Sequence, residues 1–230
     1  MAVYSNACKV SVVIPTRNEE ITIADIIKGV KPFVDEILIV DGHSTDRTRE
    51  IAKSEGARIC LDNGKGKGDG LRVAIQEVTG DIIVFIDADG SHDTNDIPEL
   101  IQPILENKSD MVIGSRARGG SDELHGDIDK LMRAIGSHTI LVGINMRWKS
   151  NLTDCQNGFR AIRTSIARRL NLKENTFAIE EEMVMKCLKN GFIISEVPSH
   201  EYERLHGTSN LSLKKEWFRI VYCWLKNMLF

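Results

Sequence analysis

The chain has 230 residues, 42% of them hydrophobic and 27% charged, and a formal net charge of −3. That length and composition suffice for one large or two small domains around an ordinary core. The slight negative balance excludes a global field that would draw the molecule to nucleic acid, so any anion site must be local. The five cysteines, Cys8, Cys60, Cys155, Cys187 and Cys223, form no C-x-x-C pair and lie near no His at metal spacing. Their odd number and wide spacing predict reduced thiols and a cytoplasmic location. Residues 1–9 lack a signal-peptide apolar region, and no stretch reads as a membrane-crossing helix.

The first half alternates between strand and helix patterns. Val10 to Ile14 reads as a strand stopped by Pro15, and Glu19 to Val30 as a helix with Ile23, Ile26, Ile27 and Val30 on one face. A second strand is predicted over Glu36 to Val40. Ser44 or Thr45 is expected to cap the next helix, which runs to about Ser54 with Asp46 in its first turn. Ala57 to Leu61 is a third strand, and Gly66-Lys67-Gly68 precedes a helix through Glu77. The fourth strand spans Asp81 to Ile86, a helix follows near Asp96 to Leu105, and Met111 to Gly114 is a fifth strand. Such alternation predicts an α/β fold, a mainly parallel sheet with helices on both faces.

The second half departs from that rhythm. Asp129 to Met146 reads as one helix, apolar at Leu131, Ile135, Leu141 and Val142. After the polar stretch 151–158 come a strand over Phe159 to Ile162, a helix over Ile179 to Lys189, and a strand over Ile193 to Val197 ended by Pro198. We find no repeat and no low-complexity tract, and we expect one domain, with residues 121–210 on its acceptor side.

Asp87-Ala88-Asp89 follows the apolar run of the fourth strand. Two carboxylates one residue apart at a strand's end point the same way. Hard oxygen ligands of that kind suit Mg²⁺ or Mn²⁺, ions that usually hold a substrate's phosphates. The alternative is an ordinary strand-to-loop turn, where Asp is common. In parallel sheets ligands bind beyond the carboxyl ends of the strands. That edge carries Pro15 to Glu19, Asp41, the lysine-glycine loop, Asp87, Asp89 and Ser115-Arg116.

Seven fragments recur in register. They are Val12-Val13-Ile14-Pro15-Thr16-Arg17-Asn18-Glu19, Ile39-Val40-Asp41-Gly42-His43-Ser44-Thr45-Asp46-Arg47-Thr48, Lys65-Gly66-Lys67-Gly68, Asp87-Ala88-Asp89-Gly90-Ser91-His92-Asp93, Gly114-Ser115-Arg116, Asp154-Cys155-Gln156-Asn157-Gly158-Phe159-Arg160 and Glu196-Val197-Pro198. Together they resemble family 2 glycosyltransferases with the GT-A fold, in particular the dolichyl-phosphate mannosyltransferase and glucosyltransferase branch, from Val10 to about Leu213.

The resemblance implies Pro15, Arg17, Glu19, Asp41, Lys67, Asp87 and Ala88 on the nucleotide-sugar side, with Asp41 at the base or ribose. It implies Asp87 and Asp89, helped by Ser91, as metal ligands. It implies Arg116, Arg160, Arg204 and Ser209 at the acceptor phosphate, and Asp89 with the three arginines at the reaction. For Glu19 a helix-dipole role stays open, and for Lys67 that of an exposed turn. Three positions depart from the family pattern: Asn210 stands for a lysine, Gly42 for an aspartate and Arg17 for a tyrosine. Removing the lysine takes a positive charge from the acceptor side, for which His206 or Lys214 could compensate. The other two departures leave the base of the donor open.

The implied reaction is an inverting in-line displacement that moves a hexose from a nucleoside diphosphate sugar, such as GDP-mannose or UDP-glucose, to a polyprenyl (dolichyl) phosphate. Such a phosphate is largely ionised at pH 7 and needs no base. A sugar-hydroxyl acceptor, as in surface-glycan assembly, would need one, and Glu180, Glu181, Glu182 or Asp154 are the candidates. The acidic run reads equally as a helix's first turn. A non-catalytic nucleotide-sugar-binding protein is the third possibility. Residues 211–230 hold Trp217, Phe218, Tyr222, Trp224 and Phe230 among Lys214, Lys215, Arg219 and Lys226. This pattern predicts an amphipathic helix in the lipid interface and a peripheral contact at the cytoplasmic face, with packing on the domain or self-association as alternatives. The oligomeric state is open.

Overall fold

The computed structural model describes residues 8–122, 128–204 and 213–229. In chain order the elements are β1 (Val10–Thr16), α1 (Ile23–Val30), β2 (Glu36–Asp41), α2 (Thr48–Ser54), β3 (Arg58–Leu61), α3 (Lys67–Glu77), β4 (Ile82–Phe85), α4 (Ile97–Leu105), β5 (Met111–Ser115), the single turn α5 (Arg116–Gly119), α6 (Ile128–Trp148), β6 (Arg160–Arg163), α7 (Thr164–Arg169), α8 (Ile179–Lys189), β7 (Ile194–Pro198) and α9 (Leu213–Leu229). The strands form one seven-stranded sheet in the order β3-β2-β1-β4-β6-β5-β7. Neighbours pair in parallel except β6, which runs antiparallel between β4 and β5. This is the expected mainly parallel sheet with helices on both faces, in the GT-A arrangement.

Alternation along the strands splits the core into two layers. Val13, Leu38, Val40, Ile83, Phe85, Met111 and Ile113 pack toward α3, α6, α7, α8 and α9. Val10, Val12, Ile14, Ile39, Ile82, Val84 and Val112 pack toward α1, α2 and α4. Covering both faces is what strands without a polar side require.

Three local expectations are corrected. The helix after β2 starts at Thr48, because Ser44 is drawn back to Asp41, and Asp46 accepts from the Thr48 amide at 3.0 Å instead. In α6, Ile135 and Val142 are exposed, while Ile140, Leu141 and Ile144 are buried. Its inward stripe is set by α8 and α9, which the pattern of one helix cannot reveal. The side chain of Leu131 lies outside the described residues. The sequence reading also passed over α7, six residues packed through Ile166 and Ala167.

Candidate functional site

The sheet's parallel strands end on one edge, and β1 and β4 flank the point where strand order reverses. A cleft opens there, as expected for this sheet type. Its volume is about 1040 Å³, and its walls include Pro15, Arg17, Glu19, Lys67, Asp87, Ala88, Asp89 and Arg204. Eight of the expected site residues thus meet at one cavity.

Asp87 and Asp89 follow β4 without regular structure. Asp87 is bound by Lys67 Nζ, 2.7 Å from Oδ1 and 3.0 Å from Oδ2. Lys67 Nζ also lies 2.9 Å from Glu180 Oε1 and over the ring of Phe177, 5.4 Å from its centroid. Burial acts to neutralise the Lys67 ammonium, but Asp87 and Glu180 outweigh it and raise its pKa. Burial likewise opposes the Asp87 carboxylate, and Lys67 reverses this and lowers the pKa. Lys67 is therefore not on an exposed turn; with Gly64, Gly66 and Gly70 it lines the cleft. Gly66 has a φ of +118°, and a Cβ there would meet the Asn175 carbonyl at 2.6 Å. A Cβ on Gly68 would meet the Glu174 carbonyl at 2.6 Å. The glycines let the start of α3 close against residues 174–176, which seats Lys67 between the two acids.

Asp89 Oδ1 accepts from the Ser91 amide at 3.0 Å and its hydroxyl at 2.7 Å, while Oδ2 lies 3.4 Å from Arg204 Nη1. Ser91 is buried, so its hydroxyl orients Asp89 instead of reaching the cleft as a metal ligand. The Glu19 carboxyl is pushed above its ordinary pKa, first by burial and then by the charge of Asp89. A carboxyl whose pKa is raised by a neighbouring carboxylate marks a place where a cation is favoured. Among the described residues, no three or more His, Cys, Asp or Glu converge as a closed metal cage. Two carboxylates on an open cleft do suit Mg²⁺ or Mn²⁺, which take the rest of their ligands from phosphate and water. The donor set fits such an ion.

Three expected ligands lie elsewhere. Asp41 is fully buried and accepts from the Ser44 amide at 2.9 Å, the Ser44 hydroxyl at 2.5 Å and the Thr16 hydroxyl at 3.4 Å. It shapes the β2 turn, whose neighbouring residues Val40, Gly42 and His43 line the cleft. Arg160 is also buried, its guanidinium donating to the carbonyls of Glu180 at 2.8 Å, Cys155 at 3.2 Å and Asn157 at 2.9 Å. It holds the 155–160 segment on α8 and is not presented to an acceptor. Arg116 is clamped by Asp154, 2.7 Å from Nε, and by Glu201, 3.3 Å from Nη1. Its charge is already matched, so it braces the wall beside the cleft. Ser209, His206 and Asn210 lie outside the described residues, as does the side chain of Lys214.

Two fragments gain a physical meaning. A Cβ on Gly158 would meet Asp87 Oδ2 at 2.8 Å, so glycine there gives Asp87 its room. Glu196 accepts from the amides of Thr153 at 2.7 Å and Asp154 at 2.8 Å, which fixes the turn that carries Asp154. Sequence reasoning missed Phe177 and His92. His92 is buried and stacks on Phe159 with centroids 5.0 Å apart. Neither stands out in the sequence; Phe177 reaches the cleft only because residues 174–178 fold back on α3.

Comparison with known proteins agrees with this architecture. The chain is 32% identical over 202 residues to glycosyltransferase AglJ of Haloferax volcanii, covering 86% of this chain and 65% of that one. It is 32% identical over 231 residues to dolichol-phosphate mannosyltransferase of Pyrococcus furiosus, covering 95% of this chain and 64% of that one. The chain thus spans just under two thirds of the length of both. The crystal structure of Mycobacterium tuberculosis glucosyl-3-phosphoglycerate synthase with Mn²⁺, UDP and glucosyl-3-phosphoglycerate superposes with a TM-score of 0.75 at 23% identity, over 96% of this chain and 80% of that one. That likeness concerns the fold. Residues 11–170 match the model of glycosyl transferase family 2. With this match and these relatives, the chain belongs to glycosyl transferase family 2.

Proposed function

We propose that the chain transfers a hexose from a nucleoside diphosphate sugar to a polyprenyl phosphate, with inversion at the anomeric carbon. One observation carries the choice of acceptor: the carboxyls that a hydroxyl acceptor would use as base are not set up for it. Glu181 is fully buried and its pKa is pushed up to about 8, by desolvation first and by neighbouring Glu180, so it holds its proton at neutral pH. Burial also works against the Asp154 carboxylate, but Arg116 outweighs it and holds the pKa low, which makes a weak base. Glu180 is paired with Lys67, and Glu182 with Lys186. A phosphate acceptor is already ionised and needs none of them.

In this reading Pro15, Arg17 and Glu19 wall the nucleotide, and Asp87 and Asp89 would hold Mg²⁺ or Mn²⁺. That ion supplies Lewis-acid neutralisation of the charge on the departing diphosphate. Lys67 keeps Asp87 ionised and in place. Ser91 aims Asp89, and Arg204 offers a guanidinium to phosphate oxygens at the same rim. What remains is positioning and electrostatic stabilisation. The dolichol-phosphate mannosyltransferase of P. furiosus, 32% identical, supports the acceptor class. Incubation with labelled donors and a polyprenyl phosphate tests it: label should enter the lipid phase, and Glu181→Gln should retain transfer. Transfer by the parent to a sugar hydroxyl and not to the lipid, lost in Glu181→Gln, would move the reaction to the hydroxyl class.

A polyprenyl phosphate is met at a bilayer. Among the described residues no helix is long and apolar enough to cross a membrane.

A further inference from the structure

Twelve large hydrophobic side chains are exposed among the described residues, and eight of them lie on α6 and α9. The two helices pack through a repeated contact. Gly136 lies against the Trp217 ring, and Gly143 against the Trp224 ring. Both steps are seven residues in the same chain direction, so α6 and α9 run side by side and parallel. Each residue turns a helix by about 100°. One residue back from the contact on α6, and one forward on α9, therefore point to the same side of the pair.

Those positions are apolar and exposed. On α6 they continue from Ile135 through Val142 to Met146, which are 52%, 41% and 78% exposed. On α9 they continue from Phe218 through Tyr222 and Leu225 to Leu229 at helical spacing. The opposite side of α9 is satisfied, with Cys223 buried and Ile220 and Trp224 packed on the core. The outward stripes are thus a second apolar face, shared by two helices and larger than scattered surface residues explain.

Charge decides what covers it. Residues 134–149 and 217–229 contain no Asp or Glu. They contain Arg147, Lys149, Arg219 and Lys226, all exposed. The chain as a whole carries −3, so this face stands out as locally cationic. A second copy placed on it would bring like charges together. A bilayer with anionic headgroups would meet both the apolar stripe and its cations.

We infer that the α6–α9 face is a docking surface for an anionic lipid bilayer, with Ile135, Val142, Met146, Phe218, Leu225 and Leu229 entering the interface. The inference goes beyond the transfer reaction and holds whatever the acceptor is. Vesicle binding, measured without donor or acceptor, fails or succeeds apart from it.

The test is co-sedimentation of the full chain with vesicles of phosphatidylcholine alone and of phosphatidylcholine with phosphatidylserine. Binding is expected to the mixed vesicles and to fall with salt. Arg219→Gln and Lys226→Gln should each weaken it about fivefold. Phe218→Ser with Leu229→Ser should weaken it by at least about tenfold. Met146→Ser should weaken it too, because α6 shares the face. All these side chains are exposed, so unchanged thermal midpoints are expected. Equal partitioning with both vesicle types, no binding, or Met146→Ser binding like the parent would overturn the inference. So would a solution dimer, seen by sedimentation velocity, that the same variants dissolve.

Discussion

Lys67 Nζ stands 2.7 Å from Asp87 Oδ1 and ties the start of α3 to the strand end that carries the aspartate pair. The same ammonium holds Glu180 at the start of α8, 2.9 Å away. One side chain therefore links α3 and the end of β4 to α8.

Lys67→Met should leave the buried Glu180 and the partly exposed Asp87 without their cation, which puts the cost at the low end of the range for a buried pair. Breaking a buried pair by removing one partner costs about 3–5 kcal/mol. Urea unfolding should show a loss of that order, with the slope unchanged. A loss below about 1 kcal/mol would mean that the bridge does not form in solution.

Gly68→Ala should act on the same bridge without touching a charge. The new methyl meets the backbone carbonyls of Glu174 and Thr176, at 2.6 and 2.8 Å. Backbone cannot yield as a side-chain tip does, so a cost of about 1–3 kcal/mol is expected. Donor binding should weaken with it, as Lys67 loses its seat. Thermal melts and nucleotide titration would check both.

The pH dependence of stability follows from Glu181. Its folded pKa of about 8 lies above that of an unfolded glutamate, so the folded protein holds a proton that the unfolded chain releases. The contribution is fully present below about pH 4.3, declines as pH rises, and is lost through about pH 8. Glu181→Gln mimics the protonated acid and keeps the acceptor for Gln156. It should therefore be more stable than the parent at pH 8, by on the order of 4–5 kcal/mol, and near parity at pH 4–5. Denaturant midpoints across that range would show it. A constant difference with pH would contradict the buried, protonated state.

The strand pattern made the sheet legible, because continuous apolar runs such as Ile82 to Ile86 can only be buried on both faces. The cleft was legible for the same reason: strand ends fix where Pro15, Glu19, Asp87 and Asp89 meet. What the sequence hid was the direction in which charges spend themselves. An arginine reads as exposed and available, yet Arg160 is buried among carbonyls and Arg116 is claimed by Asp154 and Glu201. Those partners lie far along the chain or are backbone atoms, which no motif spells out. Asp41 misled in the same way, since its partners Ser44 and Thr16 look like cap and strand residues. The outward stripe of α6 was hidden too, because the seat for α9 is made by Gly136 and Gly143.

Asp89→Ala should separate the metal from the nucleotide. Asp89 Oδ2 faces Arg204, and Oδ1 is fixed by Ser91. Without this carboxylate, Mn²⁺ should no longer strengthen binding of a nucleoside diphosphate, and transfer should fall on the order of a hundredfold or more. Calorimetric titration with and without Mn²⁺ reads the coupling directly. Unchanged coupling would place the ion elsewhere.

The most direct test of the acceptor assignment is extraction of sugar label into an organic phase. The protein would be supplied with Mg²⁺ or Mn²⁺, a polyprenyl phosphate, and GDP-mannose, UDP-glucose or UDP-N-acetylglucosamine labelled in the sugar. Label in the lipid phase with one of these donors, retained in Glu181→Gln and lost in Asp89→Ala, is the predicted result. Metal-dependent release of nucleoside diphosphate, with no label in the lipid phase from any donor, would contradict it.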